Sequence, residues 1–259
     1  GITKAQCAAV SSIGTKFQNN TSVVYFNELK NFTQITSTQN AQFSGCTALQ
    51  EIDLSNITTL SGVDGYQRWG FEGCTSLKKV ILSNNLTAIG FAAFYNCTSL
   101  ASIDLSNIKR VYDNAFYGCT SLSSFGNIDN LTYIGSQAFY NTKLSGDINM
   151  PNLTSLGTAA FVNTNITSIS NLGTITQFGI DGYNWSPCRF CSNLLTAVLP
   201  ATLTIIGGSV FSDSPNIKWV KCLAVTPPTL NGSLVGNSTC VIYVPDASID
   251  AYKSATNWS

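Results

Sequence analysis

The chain has 259 residues, of which 44% are hydrophobic and only 10% are charged, and its formal net charge is zero. This balance excludes the basic surface with which proteins attract nucleic acid, and no apolar run reaches the roughly 18 residues of a membrane span. The absence of histidine removes the commonest general base and the usual zinc ligand, so we expect neither a metal nor a cofactor.

Residues 1–42 are predicted to form an N-terminal cap. A short helix is favoured by the segment ITKAQCAAVSSI, in which Thr3 is placed to cap the first turn. A strand is indicated by SVVYF, and the following NELKNFTQI resembles the second half of a degenerate repeat. A cap is expected here because an open stack of repeats must cover the apolar surface at its ends.

Residues 43–222 repeat one pattern. The first position of the pattern holds Phe43, Phe71, Phe94, Phe116, Phe139, Phe161, Cys188 and Phe211. These positions are 22 or 23 residues apart, except for two spacings of 27 and 28 residues. Each unit continues with Leu-x-x-Ile-x-Leu, whose alternation predicts a short strand with one buried face. Because one unit cannot bury that face alone, the units are expected to stack around a continuous core with a parallel β-ladder.

A column of cysteines lies three residues after the phenylalanine. It contains Cys46, Cys74, Cys97, Cys119 and Cys191, while Thr142, Thr164 and Ser214 occupy it in other units. All of these side chains are small and can form hydrogen bonds, as a buried corner requires. We expect free thiols, because parallel Cβ vectors suit a disulfide poorly and the total of nine is odd. For Cys188-x-x-Cys191 we favour a buried structural pair, and a local disulfide or a metal or redox motif stays open.

The two longer spacings contain similar insertions. VDGYQRWGF begins at Val63 and IDGYNWSPC begins at Ile180, and both carry Asp-Gly-Tyr followed by Trp. Their aromatic side chains are Tyr66, Trp69, Tyr183 and Trp185. Such loops either present aromatic anchors to a protein or sugar or fold back over an uncovered flank of the stack.

Residues 223–259 are predicted to form a C-terminal cap. The segment AVTPPTL links the last repeat to a strand, CVIYV, which Pro245 ends. A short helix follows in DASIDAYKSA, where Asp246 is the expected N-cap. The whole chain is accordingly expected to form one domain.

Together these motifs resemble the BspA-like leucine-rich repeat family. The resemblance rests on Phe-x-x-Cys-x-x-Leu-x-x-Ile-x-Leu, on later apolar pairs such as Leu203 and Ile206, and on the closing IYVPDASIDAYKSATNWS. It implies an α/β-type solenoid: a right-handed leucine-rich-repeat superhelix with a parallel β-ladder, short turns or 3-10 segments on the other side, and caps at both ends. It also implies a secreted or surface-exposed protein of a host-associated bacterium. Because GITKAQ does not read as a signal peptide, we expect any such peptide to be missing from this sequence.

The expected binding surface is the outward face of the β-ladder. Its candidate residues flank the buried position of each strand and include Glu51, Asp53, Lys79, Asp104, Trp219 and Lys221. There are two alternatives for Trp219. It either points outward and acts as a binding hot spot, or it is covered by the C-terminal cap.

The resemblance implies a non-catalytic protein-binding or adhesion module, with a host extracellular-matrix protein, a plasma protein or a surface glycan as partner. A structural spacer is the alternative. A glycan-acting protein is the remote one, because the carboxylates of Glu51, Asp53 and Asp104 could mimic the pair of an inverting glycosidase.

Overall fold

The computed structural model of the protein describes residues 4–35, 37–38, 42–60, 70–179, 186–208, 210–211, 213–236 and 239–258. The contacts divide the chain into two compact units, Gly1–Ile128 and Asp129–Ser259, which we call unit 1 and unit 2. Within each unit, short strands pair in parallel with the strands of the neighbouring repeat. The structure therefore confirms the predicted parallel β-solenoid, and four of the eight repeats begin in each unit.

Unit 1 contains two parallel ladders. Its elements are α1 (Lys4–Ala8), β1 (Tyr25–Phe26), a 3-10 helix (Asn27–Asn31), β2 (Ser37–Thr38), β3 (Glu51–Leu54), β4 (Thr59–Leu60), β5 (Lys79–Leu82), β6 (Ala88–Ile89) and β7 (Arg110–Val111). The order β1-β3-β5 forms the first ladder, and β2-β4-β6-β7 forms the second. The repeats that begin at Phe43 and Phe71 each supply one strand to each ladder, because they contain two apolar stretches separated by a turn, whereas the repeat that begins at Phe94 supplies a strand only to the second ladder.

Unit 2 repeats this arrangement with longer first strands. Its elements are β8 (Tyr133–Ile134), β9 (Ser145–Asn149), β10 (Ser155–Leu156), β11 (Asn165–Asn171), β12 (Gln177–Phe178), β13 (Thr196–Leu199), β14 (Ile205–Ile206), β15 (Trp219–Cys222), β16 (Thr229–Leu230), β17 (Val241–Tyr243), a 3-10 helix (Asp246–Ser248) and α2 (Ile249–Ser254). The first ladder runs β9-β11-β13-β15-β17. On the second side, β8 pairs with β10, and β14 pairs with both β12 and β16.

The phenylalanines of the repeat form a stack in the core. In unit 1 the ring centroids of Phe43, Phe71, Phe94 and Phe116 follow one another at 5.1, 5.5 and 5.4 Å, with planes within 9° of parallel. Phe17 lies 5.5 Å from Phe43 and starts this stack, so the N-terminal cap holds an additional turn that the sequence pattern did not reveal. All four repeat rings are fully buried, which agrees with the predicted core column.

The cysteines of the repeat bond to the phenylalanine carbonyls of the preceding turn. The Sγ atoms of Cys74, Cys97 and Cys119 donate to the carbonyl oxygens of Phe43, Phe71 and Phe94 at 3.0 to 3.1 Å. In unit 2, Cys191 donates to Phe161 at 3.1 Å, and Ser214 Oγ donates to the carbonyl of Cys188 at 3.2 Å. All nine cysteines are free thiols, which agrees with the free thiols predicted for the column, and Cys188 occupies the phenylalanine position.

The corner before each cysteine requires left-handed backbone. Here φ is +72° at Gly45 and +55° at Asn96, and glycine and asparagine adopt this region at little cost. Phe190 takes the same conformation, with φ +58°, although it has a bulky side chain. That side chain is half-exposed and lies under the guanidinium of Arg189, 4.7 Å from the ring centroid.

The two caps differ in detail from the expectations. The N-terminal helix is only α1, and its expected cap, Thr3, lies outside the described residues. The segment predicted as a degenerate repeat begins with a 3-10 helix instead. At the C-terminus, Asp246 opens a 3-10 turn after Pro245, and α2 follows Ser248 without a side-chain cap hydrogen bond. The expectation that Asp246 caps the helix was therefore wrong.

Candidate functional site

The outward face of the first ladder in unit 1 carries one charged pair from neighbouring strands. Glu51 of β3 and Lys79 of β5 are in register, and Lys79 Nζ lies 2.9 Å from Glu51 Oε1. The lysine side chain is 60% exposed and the glutamate side chain is 24% exposed. Both predicted site residues therefore reach the surface of the ladder, where they neutralise each other in part.

Asp53 departs from the predicted exposure. It is buried, because the 3-10 helix of the cap brings Lys30 Nζ to 3.1 Å from its carboxylate. Asp53 Oδ1 also accepts the backbone N–H of Ser55 at 3.0 Å. Burial alone would raise the pKa of Asp53, but the hydrogen bonds from Ser55 and the charge of Lys30 outweigh it and hold the pKa below its usual value. The residue is a charged, buried component of the ladder.

A cleft of about 320 Å³ opens beside β5. It is lined by Val80, Ile81, Leu82, Ser83, Asn84, Asp104, Ser106, Asn107 and Ile108. Asp104 is exposed at its rim, and Asp104 Oδ1 accepts the backbone N–H of Ser106 at 3.0 Å. Asp104, one of the predicted ladder residues of unit 1, thus lines a concave site.

Sequence reasoning missed this cleft, and the repeat lengths differ at this point without being specific to it. Three residues separate Leu82 from Leu86, whereas two separate Leu105 from Ile108 in the next repeat. The additional residue widens the turn that contains Asn84. The same three-residue spacing between Leu199 and Leu203 accompanies no interruption of its ladder, so repeat length alone would not have located the cleft.

The outward face of unit 2 is apolar near its end. Trp219 of β15 is half-buried, and its ring forms a T-shaped pair with that of Tyr243, with centroids 6.3 Å apart and planes at 81°. Lys221, two residues along the strand, is exposed. Val241 and Tyr243 of β17 are 49% and 52% exposed, so the C-terminal cap covers Trp219 only in part and extends the apolar surface by one strand.

Other predicted features lie outside this geometry. Tyr66, Trp69, Tyr183 and Trp185 of the two insertions fall outside the described residues. Among the residues that the structure describes, no group of three or more acidic, cysteine or histidine side chains is placed to hold a metal ion. In the same part of the chain, no helix has the length and apolar character needed to cross a membrane.

Comparison with known proteins yields one family match. The model of the BspA type leucine rich repeat region matches residues 65–188 and 129–226, with six copies. No curated protein sequence matches the chain significantly.

Several solved structures are similar to the chain at low identity. A leucine-rich repeat protein from Bacteroides ovatus is 16% identical, covers 92% of this chain and 81% of its own, and gives a TM-score of 0.47. A leucine rich cell surface protein from Faecalibacterium prausnitzii is 17% identical, with coverages of 94% and 78% and a TM-score of 0.46. The T. pallidum leucine rich repeat protein is 17% identical, with coverages of 86% and 77% and a TM-score of 0.38. The family assignment rests on the repeat match and not on these structures.

Proposed function

Because the chain belongs to the BspA-type leucine-rich repeat family, we propose that it is a protein-binding module that contacts its partner through the outward faces of its first ladders. The observation that carries this proposal is the register of those faces. Parallel pairing aligns Glu51 with Lys79 in unit 1, and aligns Thr196 with Trp219 and Val241 in unit 2. Aligned rows of outward side chains form an extended surface of the kind that repeat proteins use for binding.

The proposed partner is a host extracellular-matrix or plasma protein, and the proposed setting is the surface or the surroundings of a bacterial cell. Leucine-rich repeat proteins of the BspA type are typically surface or secreted proteins that act as interaction modules. The apolar end of unit 2 supports a protein partner, because exposed Val241 and Tyr243 beside Trp219 resemble the aromatic-rich centre of many interfaces.

The proposed module is non-catalytic. A glycosidase needs one carboxylic acid that is protonated near neutral pH and one free carboxylate. Asp53 has a lowered pKa and an ion pair with Lys30, and Glu51 is paired with Lys79. These features oppose the acid role for either residue. A glycan hydrolysis assay should find no activity in the wild-type protein. Activity that is present in the wild-type protein and lost in the Asp53→Asn variant would contradict this.

A surface glycan is the second candidate partner. The half-exposed ring of Tyr243, set edge-on against Trp219, offers an aromatic face on which a sugar ring could stack. The third possibility, a spacer without a partner of its own, predicts no specific binding by either ladder face.

The test is a binding screen of the full chain against immobilised matrix proteins, plasma proteins and a glycan array. Any partner found is then measured with two ladder variants, Lys79→Ala in unit 1 and Trp219→Ala in unit 2. We expect at least one of them to weaken binding severalfold, since interface hot spots typically contribute more than about 1–2 kcal/mol.

Each variant has a matched control away from the ladders. Lys16→Ala removes an exposed lysine of the N-terminal cap, and Phe190→Ala removes a half-exposed aromatic ring at a corner. Binding that is insensitive to both ladder variants, or equally sensitive to the controls, would refute the proposed surface. The absence of any protein or glycan partner would favour the spacer.

A further inference from the structure

The first ladder of unit 1 is interrupted directly after β5. The sheet β1-β3-β5 ends at that strand. The next rung, residues 101–105, pairs instead with the rung that follows it: Ile103 N–H donates to the carbonyl of Ser124, and Leu105 N–H donates to that of Phe125. The cleft of about 320 Å³ described above lies at this interruption, so it is a local opening between β5 and the next rung.

The cleft exposes apolar atoms that are core atoms elsewhere in the repeat. Val80 and Leu82 are in register with Ile52 and Leu54, which are fully buried. Val80 and Leu82 themselves are only half-buried. Together with Ile81, which is 36% exposed on the outward side, they form an apolar wall. Covering this wall with an aliphatic ligand group is favourable, because it removes apolar surface from water.

The opposite rim of the cleft carries a negative charge. Asp104 has one hydrogen bond, from the backbone N–H of Ser106. It belongs to none of the ion pairs formed among the described residues. Its neighbour on the following rung is Gly126, where a Cβ atom would lie 3.0 Å from Asp104 Oδ1. The missing side chain leaves the carboxylate open to a ligand, and most of its acceptor capacity is unused.

We propose that this cleft binds the side chain of a lysine or arginine presented by a partner protein. The methylene groups of that side chain pack on the wall formed by residues 80–82, and its cationic end pairs with Asp104. The side-chain oxygens of Asn84 and Asn107, which line the same cleft, are available acceptors for its remaining N–H groups. This assignment rests on the proposed function, since it names the partner chemistry that one part of the ladder face recognises.

The combination of wall and charge excludes simpler ligands. An uncharged aliphatic side chain would cover the wall but would place Asp104 beside apolar atoms without a counter-charge, which is costly. A compact cation without an aliphatic stem would leave the wall in water. Lysine and arginine satisfy both sides, because they combine a three- or four-carbon stem with a terminal charge.

The test needs no knowledge of the partner. Three capped tripeptides, Gly-Lys-Gly, Gly-Arg-Gly and Gly-norleucine-Gly, are titrated into the ¹⁵N-labelled 259-residue chain and followed by the backbone amide signals. We expect the two cationic peptides to shift the signals of residues 81–84 and 104–108. Norleucine, which keeps the stem without the charge, should bind about fivefold more weakly, as for a partly desolvated ion pair.

Two variants separate the contributions of the charge and the wall. Asp104→Asn should reduce the lysine peptide to the affinity of the norleucine peptide, while Asp250→Asn in α2, which removes the same charge from an exposed site, should change nothing. Ile81→Ala should weaken the binding of the lysine and norleucine peptides by the same factor.

Equal binding of the lysine and norleucine peptides, a lysine preference that survives Asp104→Asn, or no shift at the cleft would each overturn the inference. If the peptides fail while a screened protein still binds, the cleft assignment falls and the proposed function stands.

Discussion

The phenylalanine stack allows a sharp prediction, because two equally buried rings have different neighbours. Phe94 is stacked on Phe71 at 5.5 Å and on Phe116 at 5.4 Å. Phe161 is stacked on Phe139 at 5.6 Å, and Cys188 occupies the phenylalanine position on its other side, where Pro187 accepts the Phe161 N–H. Both rings are at most 1% exposed. Replacing each by leucine therefore removes a similar apolar burial but a different number of ring pairs.

The expected difference follows from that number. An aromatic pair contributes about 0.5–1.5 kcal/mol beyond its area. Phe94→Leu removes two pairs, roughly 1–3 kcal/mol, and Phe161→Leu removes one, roughly 0.5–1.5 kcal/mol. The change of shape from phenylalanine to leucine is common to both variants and cancels in the comparison. We expect Phe94→Leu to be more destabilising by about 0.5–1.5 kcal/mol, which is about a 2- to 12-fold difference in the unfolding equilibrium constant.

Urea unfolding measures this difference, with native-state amide hydrogen exchange to assign each effect to its own unit. The comparison requires the same slope of free energy against urea in both variants, so that only stability has changed. Equal destabilisation, or a larger effect for Phe161→Leu, would show that ring stacking does not contribute to the stability of the column and would refute the reasoning.

Four further predictions concern the cysteine thiols and the buried carboxylate of Asp53. Thiol titration of the unfolded, unreduced protein should find nine free sulfhydryls, and in the native protein Cys240 should react first, because it alone among the nine is not fully buried. Burial raises the pKa of Cys119 from 9.0 to about 12, so its contribution to stability is complete below pH 9 and is lost as the pH rises to about 12; Cys119→Ser should flatten that decline in urea unfolding. The Cys97→Val variant should be about 0.5–1.5 kcal/mol less stable than the Cys97→Thr variant, because valine and threonine have the same shape but only threonine can donate a hydrogen bond in place of Cys97. The difference should not be larger, because the carbonyl of Phe71 keeps its hydrogen bond from the backbone N–H of residue 74. Asp53→Asn should cost about 1–2 kcal/mol at pH 7 and progressively less below pH 4, because the lowered pKa of Asp53 provides stability that is present above the unfolded pKa and is lost on acidification; an unchanged difference at pH 2.5 would contradict this.

The sequence was sufficient for the repeat architecture because nearly every unit restates the same constraints. A buried ring, a small hydrogen-bonding residue three places later and an alternating strand recur from Phe43 to Phe211, and each observed copy makes the next more predictable. The turn around Phe17 escaped notice because no Leu-x-x-Ile-x-Leu strand follows it. Its place in the stack is visible in the structure, where its ring lies 5.5 Å from that of Phe43 and its carbonyl accepts a hydrogen bond from Cys46 Sγ.

The candidate site was less predictable, because exposure depends on contacts between distant residues. Alternation along β3 places Asp53 outward, but Lys30 from the cap covers it. The same alternation places Val80 in the core, but the pairing of the next rung with residues 124 and 125 leaves it half-exposed. Neither outcome can be predicted from the local pattern, since both depend on which distant backbone segments lie next to each strand.

The sequence by itself thus determined which side chains occupy equivalent positions in successive repeats, since periodicity fixes the position of a residue within its repeat. Only the tertiary structure decided which of those positions stay open to solvent. The physical reason is that hydrophobic periodicity acts within one repeat, whereas the covering of Asp53 and the gap beside Asp104 depend on how consecutive turns pair and on what the caps bring over them.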